Sequence, residues 1–353
     1  MKHHLAFFLT LSVICCNGQD QHITMLSALK QHIGSGVYPN IDAIIVDKQN
    51  KVIIEEYFNV FKQDSLHDIR SAFKSVTSIL AGIAIDKGLI SLNDKVLKYF
   101  PEYKVKDKSD DRKTKIKIID LLKMKTGLNC EEFYGTGPDC EDGMDRSNDW
   151  IDFCLNIEMK DEPGVKWSYS SIPPMIMGEI ISRASGVTIM EFCEMYLFKP
   201  LGIEKYKWTI TPQGRGMTAG SFYIKPVDML KIGRLIRQNG NWQGKQIVSA
   251  DWIKQSTACD TNIDFSFVKY SRMRNAKYES ARYGYYWYRE NLQYGKFKTE
   301  VLFASGNGGQ YIMIFEEYDT VIIFTGSNYN YWKNKLPFEI VLKYLLPMIE
   351  YQN

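Results

Sequence analysis

Runs rich in β-branched and aromatic residues occupy the two ends of this 353-residue chain, and helical patterns fill its middle. That arrangement limits the fold more than any other feature. Ile41 to Asp47 and Lys51 to Phe58 read as two strands joined by a hairpin at Lys48-Gln49-Asn50. Tyr283 to Tyr288, Phe297 to Phe303, Gln310 to Phe315 and Thr320 to Thr325 read as four more. Helices are expected from Ser71 to the stop at Gly88, over Leu92 to Pro101, over Ile116 to Met124 closing at Gly127, over Pro174 to Ser185 closing at Gly186, and from Thr188 to Phe198 before Pro200. Strands at both ends must meet in one sheet to bury their faces. The expected class is therefore α+β: an antiparallel sheet built from the N- and C-terminal strands and flanked by helices, with a mostly helical second lobe, roughly residues 88–200, inserted between them. A cleft between these parts is the natural place for a site.

Composition is that of an ordinary globular chain, 45% hydrophobic and 24% charged. A net charge of +3 with no basic stripe argues against a nucleic-acid partner; the lysines between Lys104 and Lys117 alternate with Asp107, Asp110 and Asp111, as in a solvated loop. At the start, Lys2, His3 and His4 precede an apolar run from Leu5 to Ile14, too short to span a bilayer and suited to a signal peptide. Residues 1–18 are read as that signal, with cleavage after Gly18, and 19–353 as one catalytic domain exported to the periplasm or medium. A lipid on Cys15 or Cys16, tethering the protein to a membrane, is the alternative. Beyond the signal stand Cys130, Cys140, Cys154, Cys193 and Cys259, an odd number. Cys130 and Cys140 flank a loop that either a disulfide or two free thiols would fit. No Cys/His spacing resembles a metal site, and no cofactor is expected.

The helix opening at Ser71 carries the chemistry. Ser71 and Lys74 are three residues apart and share a face of the helix, while Phe73, Val76, Leu80 and Ile83 point inward. A serine hydroxyl needs a base to become a nucleophile, and a desolvated lysine can serve. Ser27-Lys30 and Ser266-Lys269 have the same spacing, so spacing alone decides nothing; only Ser71 opens a strongly apolar helix. Histidine is scarce as a base: His3 and His4 belong to the signal, His22 and His32 follow it, and His67 is the remaining one. Tyr169, in Trp167-Ser-Tyr-Ser-Ser171 after a turn at Pro163-Gly164, is one of 22 tyrosines and so fits plain packing, but beside an ammonium it could accept and return protons. Gly306, Gly308 and Gly309 lie at a strand junction, where glycine permits close backbone approach and an exposed N–H could join that of Ser71 in holding an oxyanion.

In this order the pieces resemble the serine β-lactamase and penicillin-binding-protein superfamily, in its class C-related branch of esterases, amidases and D-amino-acid peptidases. Gly88 to Val96, Phe100-Pro-Glu-Tyr103, Ile118 to Leu128, Ala219-Gly-Ser-Phe-Tyr223, Asp228 to Gly233 and Tyr283 to Trp287 look like recurrent segments of that branch, and the resemblance runs from about residue 25 to the end of the chain. It implies Ser71 as acylated nucleophile, Lys74 as proton acceptor and Tyr169 as proton shuttle. It also implies Ser71, Ser171, Gly306, Asn307 and Gly308 as oxyanion or substrate-binding residues, the third motif lying at Ala304-Ser305-Gly306. A literal Lys125-Thr126-Gly127 comes too early in the chain to be that motif.

Two departures bear on the substrate. Ser171 stands where the branch has asparagine, and Ala304 where it has lysine or histidine. The expected activity is hydrolysis of a small-molecule or peptide ester or amide. A class C-type β-lactamase or D,D-carboxypeptidase and a non-catalytic peptide- or glycan-binding homologue are the alternatives. Tyr223, Tyr285, Trp287 and Tyr311 fit either a cleft lining or a core. Oligomeric state is left open.

Overall fold

A computed structural model of the protein describes residues 23–104, 110–271 and 273–350; the proposed signal and Cys15 and Cys16 lie outside them. After helix α1 (residues 23–34) come β1 (Ile41–Lys48) and β2 (Lys51–Tyr57). Gln49 and Asn50, with φ of 52° and 66°, make the tight turn that a right-twisted hairpin needs. α2 (Phe73–Asp86), α3 (Ile172–Ser185) and α4 (Pro226–Arg237) follow. The chain then returns to β3 (Tyr288–Tyr294), β4 (Phe297–Gly306), β5 (Gln310–Phe315) and β6 (Thr320–Gly326), and closes with α5, a continuous helix from Leu336 to Glu350.

The strands join in one nine-stranded sheet in which β1 pairs antiparallel with β2 and β6, and the order continues through β5, β4 and β3 to the short strands Arg282–Tyr283 and Thr261–Asn262. The two ends of the chain thus meet at β1–β6. Both strands are buried almost throughout, so the sheet must be covered on both faces. Side chains alternate between faces along a strand. Ile312 meets Gly233 of α4, where an added Cβ would lie 2.5 Å from Val321 and 3.0 Å from Ile312; the neighbouring Tyr311 packs edge-on against Phe338 of α5, ring centroids 5.3 Å apart. α4 and α5 therefore cover opposite faces.

α2 is buried from Phe73 to Ala84. Its β-branched residues disfavour an isolated helix, so its stability comes from burial on every side. Gly82 admits the Trp252 ring, which a Cβ would meet at 2.2 Å. Gly88, at φ 69°, ends the helix, with its N–H on Ile85 O and that of Leu89 on Ala84 O.

Several elements differ from expectation. Leu92 to Pro101 forms only a 3-10 turn, Val96–Tyr99, because its backbone pairs with the next segment instead: Val96 N–H bonds Ile116 O, and Ile118 N–H bonds Asp94 O. Residues 283–288 are not one strand; Gly284 is pressed against Ser256 O, and Tyr286 turns at φ 65°. Pro200 does not stop its helix, because a wide π-turn at Glu194–Phe198 precedes it and the helix ends at Gly202 instead. Helices α1, α4 and α5 are not among the elements expected from the sequence. Tyr285, Trp287 and Tyr311 are core residues, exposed by 3%, 0% and 0%.

Candidate active site

Ser71 sits on a short 3-10 turn, Arg70–Ala72, that feeds α2. Arg70 precedes it at φ 49°, a left-handed conformation disfavoured for a side chain of that size, and the Asp68 carboxylate holds it there through the Arg70 N–H at 3.0 Å and Nε at 2.8 Å. Two glycines let other segments reach the turn. A Cβ on Gly306 would lie 2.1 Å from Ile69 O, and one on Gly220 would lie 3.3 Å from Arg70 C. The end of β4 and the segment after Ala219 thereby flank Ser71.

Lys74 is only 2% exposed. Its Nζ lies 3.1 Å from Ser71 Oγ, 3.2 Å from Ser171 Oγ and 2.6 Å from Ala219 O, and 5.0 Å from the centre of the Tyr169 ring. Helix α3 begins directly after Ser171, with Pro173 and Pro174 in its first turn, where no amide partner is lost. The Tyr169 phenol lies against that of Tyr288, and Phe133 and Trp167 pack around its ring. Ser71, Lys74, Tyr169 and Ser171, drawn from positions nearly a hundred residues apart, thus share one centre.

That centre opens into a cleft of about 620 Å³ lined by Ser71, Tyr169, Ser305 and Asn307 among others. Asn307 is held by Asn330, whose backbone N–H it accepts at 2.8 Å. Gly308, at φ 100°, packs under Tyr329 and bridges to Asn328. Lys125-Thr126-Gly127 lies in a loop, Gly127 against Asp161 O, and does not line the cleft. No cation stands at Ala304, but Lys335, at the foot of α5, reaches the same cleft over the Phe267 ring at 4.6 Å, pushed down to about 8 by burial with Glu290 opposing.

The other Ser-x-x-Lys pairs are explained locally. Lys30 is an exposed partner of Glu56, 2.8 Å away. Ser266 caps the helix Phe267–Tyr270 and donates to the buried Glu290, while Lys269 is exposed. His67 stacks on Phe61, its centroid 4.3 Å away, and burial lowers its imidazole to about 4.

Three residues of the site escaped the sequence reading. Ala219 supplies a carbonyl, and Glu132 and Glu141 supply carboxyls. Glu132 accepts the Ser171 N–H at 2.8 Å and the Glu141 N–H at 3.1 Å; Glu141 accepts the Ser171 hydroxyl. Burial pushes the Glu132 carboxyl up to about 7; Lys74 pulls it back and Glu141 adds to the rise. The available signal was their position beside Cys130 and Cys140, which form a disulfide. Cys154, Cys193 and Cys259 are buried free thiols. Among the described residues no cluster suited to a metal ion occurs, and no helix is long and apolar enough to cross a membrane.

A buried lysine on a serine, a tyrosine ring beside that lysine and a β4 strand end against the serine turn thus line one cleft. The β-lactamase family model matches residues 29–336, and the chain belongs to that family. It is 24% identical over 231 residues to a 6-aminohexanoate-dimer hydrolase of Paenarthrobacter ureafaciens, covering 62% of this chain and 57% of that one. The chain spans about half the length of the curated relatives it matches. In fold it is similar to a protein described as a β-lactamase from Bacteroides dorei DSM 17855, with TM-score 0.70, 18% identity and coverage of 92% of this chain and 98% of that one. It is similar also to the octameric penicillin-binding protein homologue from Pyrococcus abyssi, with TM-score 0.68, 17% identity and coverage of 93% and 77%.

Proposed function

We propose that this protein hydrolyses an ester or amide through an acyl-Ser71 intermediate. The observation that carries the reading is the Lys74 Nζ, buried and 3.1 Å from Ser71 Oγ. Lys74 takes the Ser71 proton as Oγ attacks the carbonyl carbon; the leaving alcohol or amine departs with a proton passed through Lys74 and Tyr169. Water then attacks the acyl group, giving its proton back along the same path, and Ser71 is released with the acid. Backbone N–H groups at Ser71 and Asn307 are the donors assigned to the oxyanion, on the grounds that β4 abuts the Ser71 turn at Gly306.

Substrate preference follows from the two departures. With Ser171 and Ala304 in place of an amide and a cation, simple esters and amides are favoured over β-lactams and D-Ala peptides. The relative named as a 6-aminohexanoate-dimer hydrolase is consistent with a non-lactam substrate. Export is part of the same reading. It rests on the apolar run at Leu5 to Ile14 and on a disulfide that an oxidising compartment would maintain. A lipid at Cys15 or Cys16 would add a tether.

The test is labelling with a fluorophosphonate followed by mass spectrometry. A single adduct on Ser71, lost in Ser71→Ala, is expected, together with faster turnover of p-nitrophenyl acetate than of nitrocefin or D-Ala-D-Ala peptide. Undiminished labelling of Ser71→Ala would remove this mechanism.

A further inference from the structure

We infer that Glu141 is a positioning residue for the Ser71–Lys74 pair, acting through the hydroxyl of Ser171, and that the Cys130–Cys140 disulfide holds it there. The inference rests on the acyl-serine reading and adds a residue to it. Lys74 Nζ faces three oxygens: Ala219 O can only accept, and Ser71 Oγ, 3.1 Å away, gives up its proton when it is acylated. The third, Ser171 Oγ, carries one proton and could either donate to Lys74 or accept from it. Glu141 decides the matter. Its carboxylate accepts the Ser171 hydroxyl proton, so Ser171 Oγ presents only lone pairs to Lys74 at 3.2 Å. In the step where Lys74 acts as base, two of its N–H bonds are then committed to Ser171 and Ala219, and its lone pair is left for the Ser71 proton. Without Glu141 the Ser171 hydroxyl can turn and occupy that lone pair, competing with Ser71.

This also gives the serine at position 171 a physical context. An asparagine amide has fixed donor and acceptor atoms, whereas a hydroxyl rotates and needs a fixed acceptor to define its direction. The acceptor is held from several sides. Glu141 N–H bonds Glu132 Oε1, Glu132 Oε2 takes Ser171 N–H, and Glu132 N–H bonds Tyr169 O at 2.9 Å. Glu132 lies two residues after Cys130 and Glu141 directly after Cys140, so the disulfide closes the loop that delivers both carboxyls. Other charges face the pair: Lys74 from α2, Asp68 beside the Ser71 turn, and Asp139, Asp142 and Asp145 from the short helix after Cys140 and its cap. Burial raises the carboxyls of Asp68 and Asp145, and Glu141 adds to each.

The experiment compares the full chain with Glu141→Gln, Ser171→Ala and their double variant. It follows kcat, KM and the pH profile with p-nitrophenyl acetate, and counts competent sites by fluorophosphonate labelling. Each single variant is expected to lower kcat about tenfold with KM nearly unchanged, Glu141→Gln is expected to move the acidic limb of the kcat profile, and the double variant is expected to be no slower than Ser171→Ala. Reducing the disulfide in the native protein should reproduce the Glu141→Gln loss and add nothing to that variant. Additive losses in the double variant, a rise in KM alone, or unchanged kcat in Glu141→Gln would overturn the assignment. Native activity that withstands complete reduction would overturn the part given to the disulfide. Should Glu141→Gln unfold, as thermal melting would reveal, Ser171→Ala with and without reductant carries the same test: a further loss on reduction would count against the coupling. If the native protein itself took no label at Ser71, the acyl-serine reading would fall; intact labelling with additive variants removes only the role of Glu141.

Discussion

Two Ser-x-x-Lys pairs in this molecule each lie near a glutamate, half-buried Glu132 and buried Glu290, and only the first pair has its lysine turned onto the serine beside a cleft. At Ser71 the lysine is buried and turned onto the serine, and Glu132 and Glu141 meet Ser171 at the edge of an open cleft. At Ser266 the serine caps a helix and donates to Glu290, which also accepts the N–H groups of Phe267 and Val268, while Lys269 faces solvent. Burial pushes both Glu132 and Glu290 up to about 7. A perturbed carboxyl therefore marks enclosure in both places. Access to a cleft and a lysine on the serine are what separate the proposed reactive site from a helix cap.

The comparison breaks most decisively at the serines. Ser71→Ala should reduce ester hydrolysis at least about 10³-fold, whereas Ser266→Ala should leave turnover nearly intact and cost about 1–2 kcal/mol of stability through the lost cap. Steady-state kinetics and urea unfolding check both. Next come the lysines. Lys74→Met should cost about 10²- to 10⁴-fold in kcat, and Lys269→Met, on an exposed side chain, should change neither rate nor stability measurably.

The glutamates sharpen the contrast through pH. Each holds a proton in the folded protein that its free form, with an ordinary value of 4.5, gives up earlier. The unfolded chain then binds fewer protons, so each group's contribution to stability falls as pH rises from about 4.5 to 7 and levels off above. Glu290→Gln should flatten that decline and leave the pH–rate profile alone; Glu132→Gln should alter both. Urea unfolding across this range, beside kinetics, tests it. The smallest effect concerns thiols. Burial raises the Cys154, Cys193 and Cys259 thiols, the last to about 12, so alkylation under native conditions should modify none of the three.

The sequence pattern already marked Ser71, Lys74 and Tyr169, because an apolar helix with a lysine on its buried face conflicts with burial cost unless the lysine has partners. It could not mark Glu141 or Ala219. Their roles come from contacts across 30 and 145 residues of chain, and neither residue breaks a local rule. The Leu92–Pro101 segment misled for a related reason: its apolar spacing suits a helix, but pairing with Ile116 to Ile119 satisfies the same backbone groups. Helix α5 was hidden by Pro337 and Pro347 and a wide π-turn, where local propensity speaks against a helix and packing under β4 and β5 sustains one.

Hydrophobic period and turn chemistry are written into neighbouring residues, so the sequence by itself determined the terminal strands, the buried Ser71 helix and the candidate nucleophile with its lysine. Tertiary structure alone decided which glycines admit a neighbouring backbone, which of the two glutamate sites opens to solvent, and that residues 130–141 close against Ser171. Those outcomes depend on desolvation and hydrogen bonds between groups far apart in the chain, and no local pattern encodes such distances.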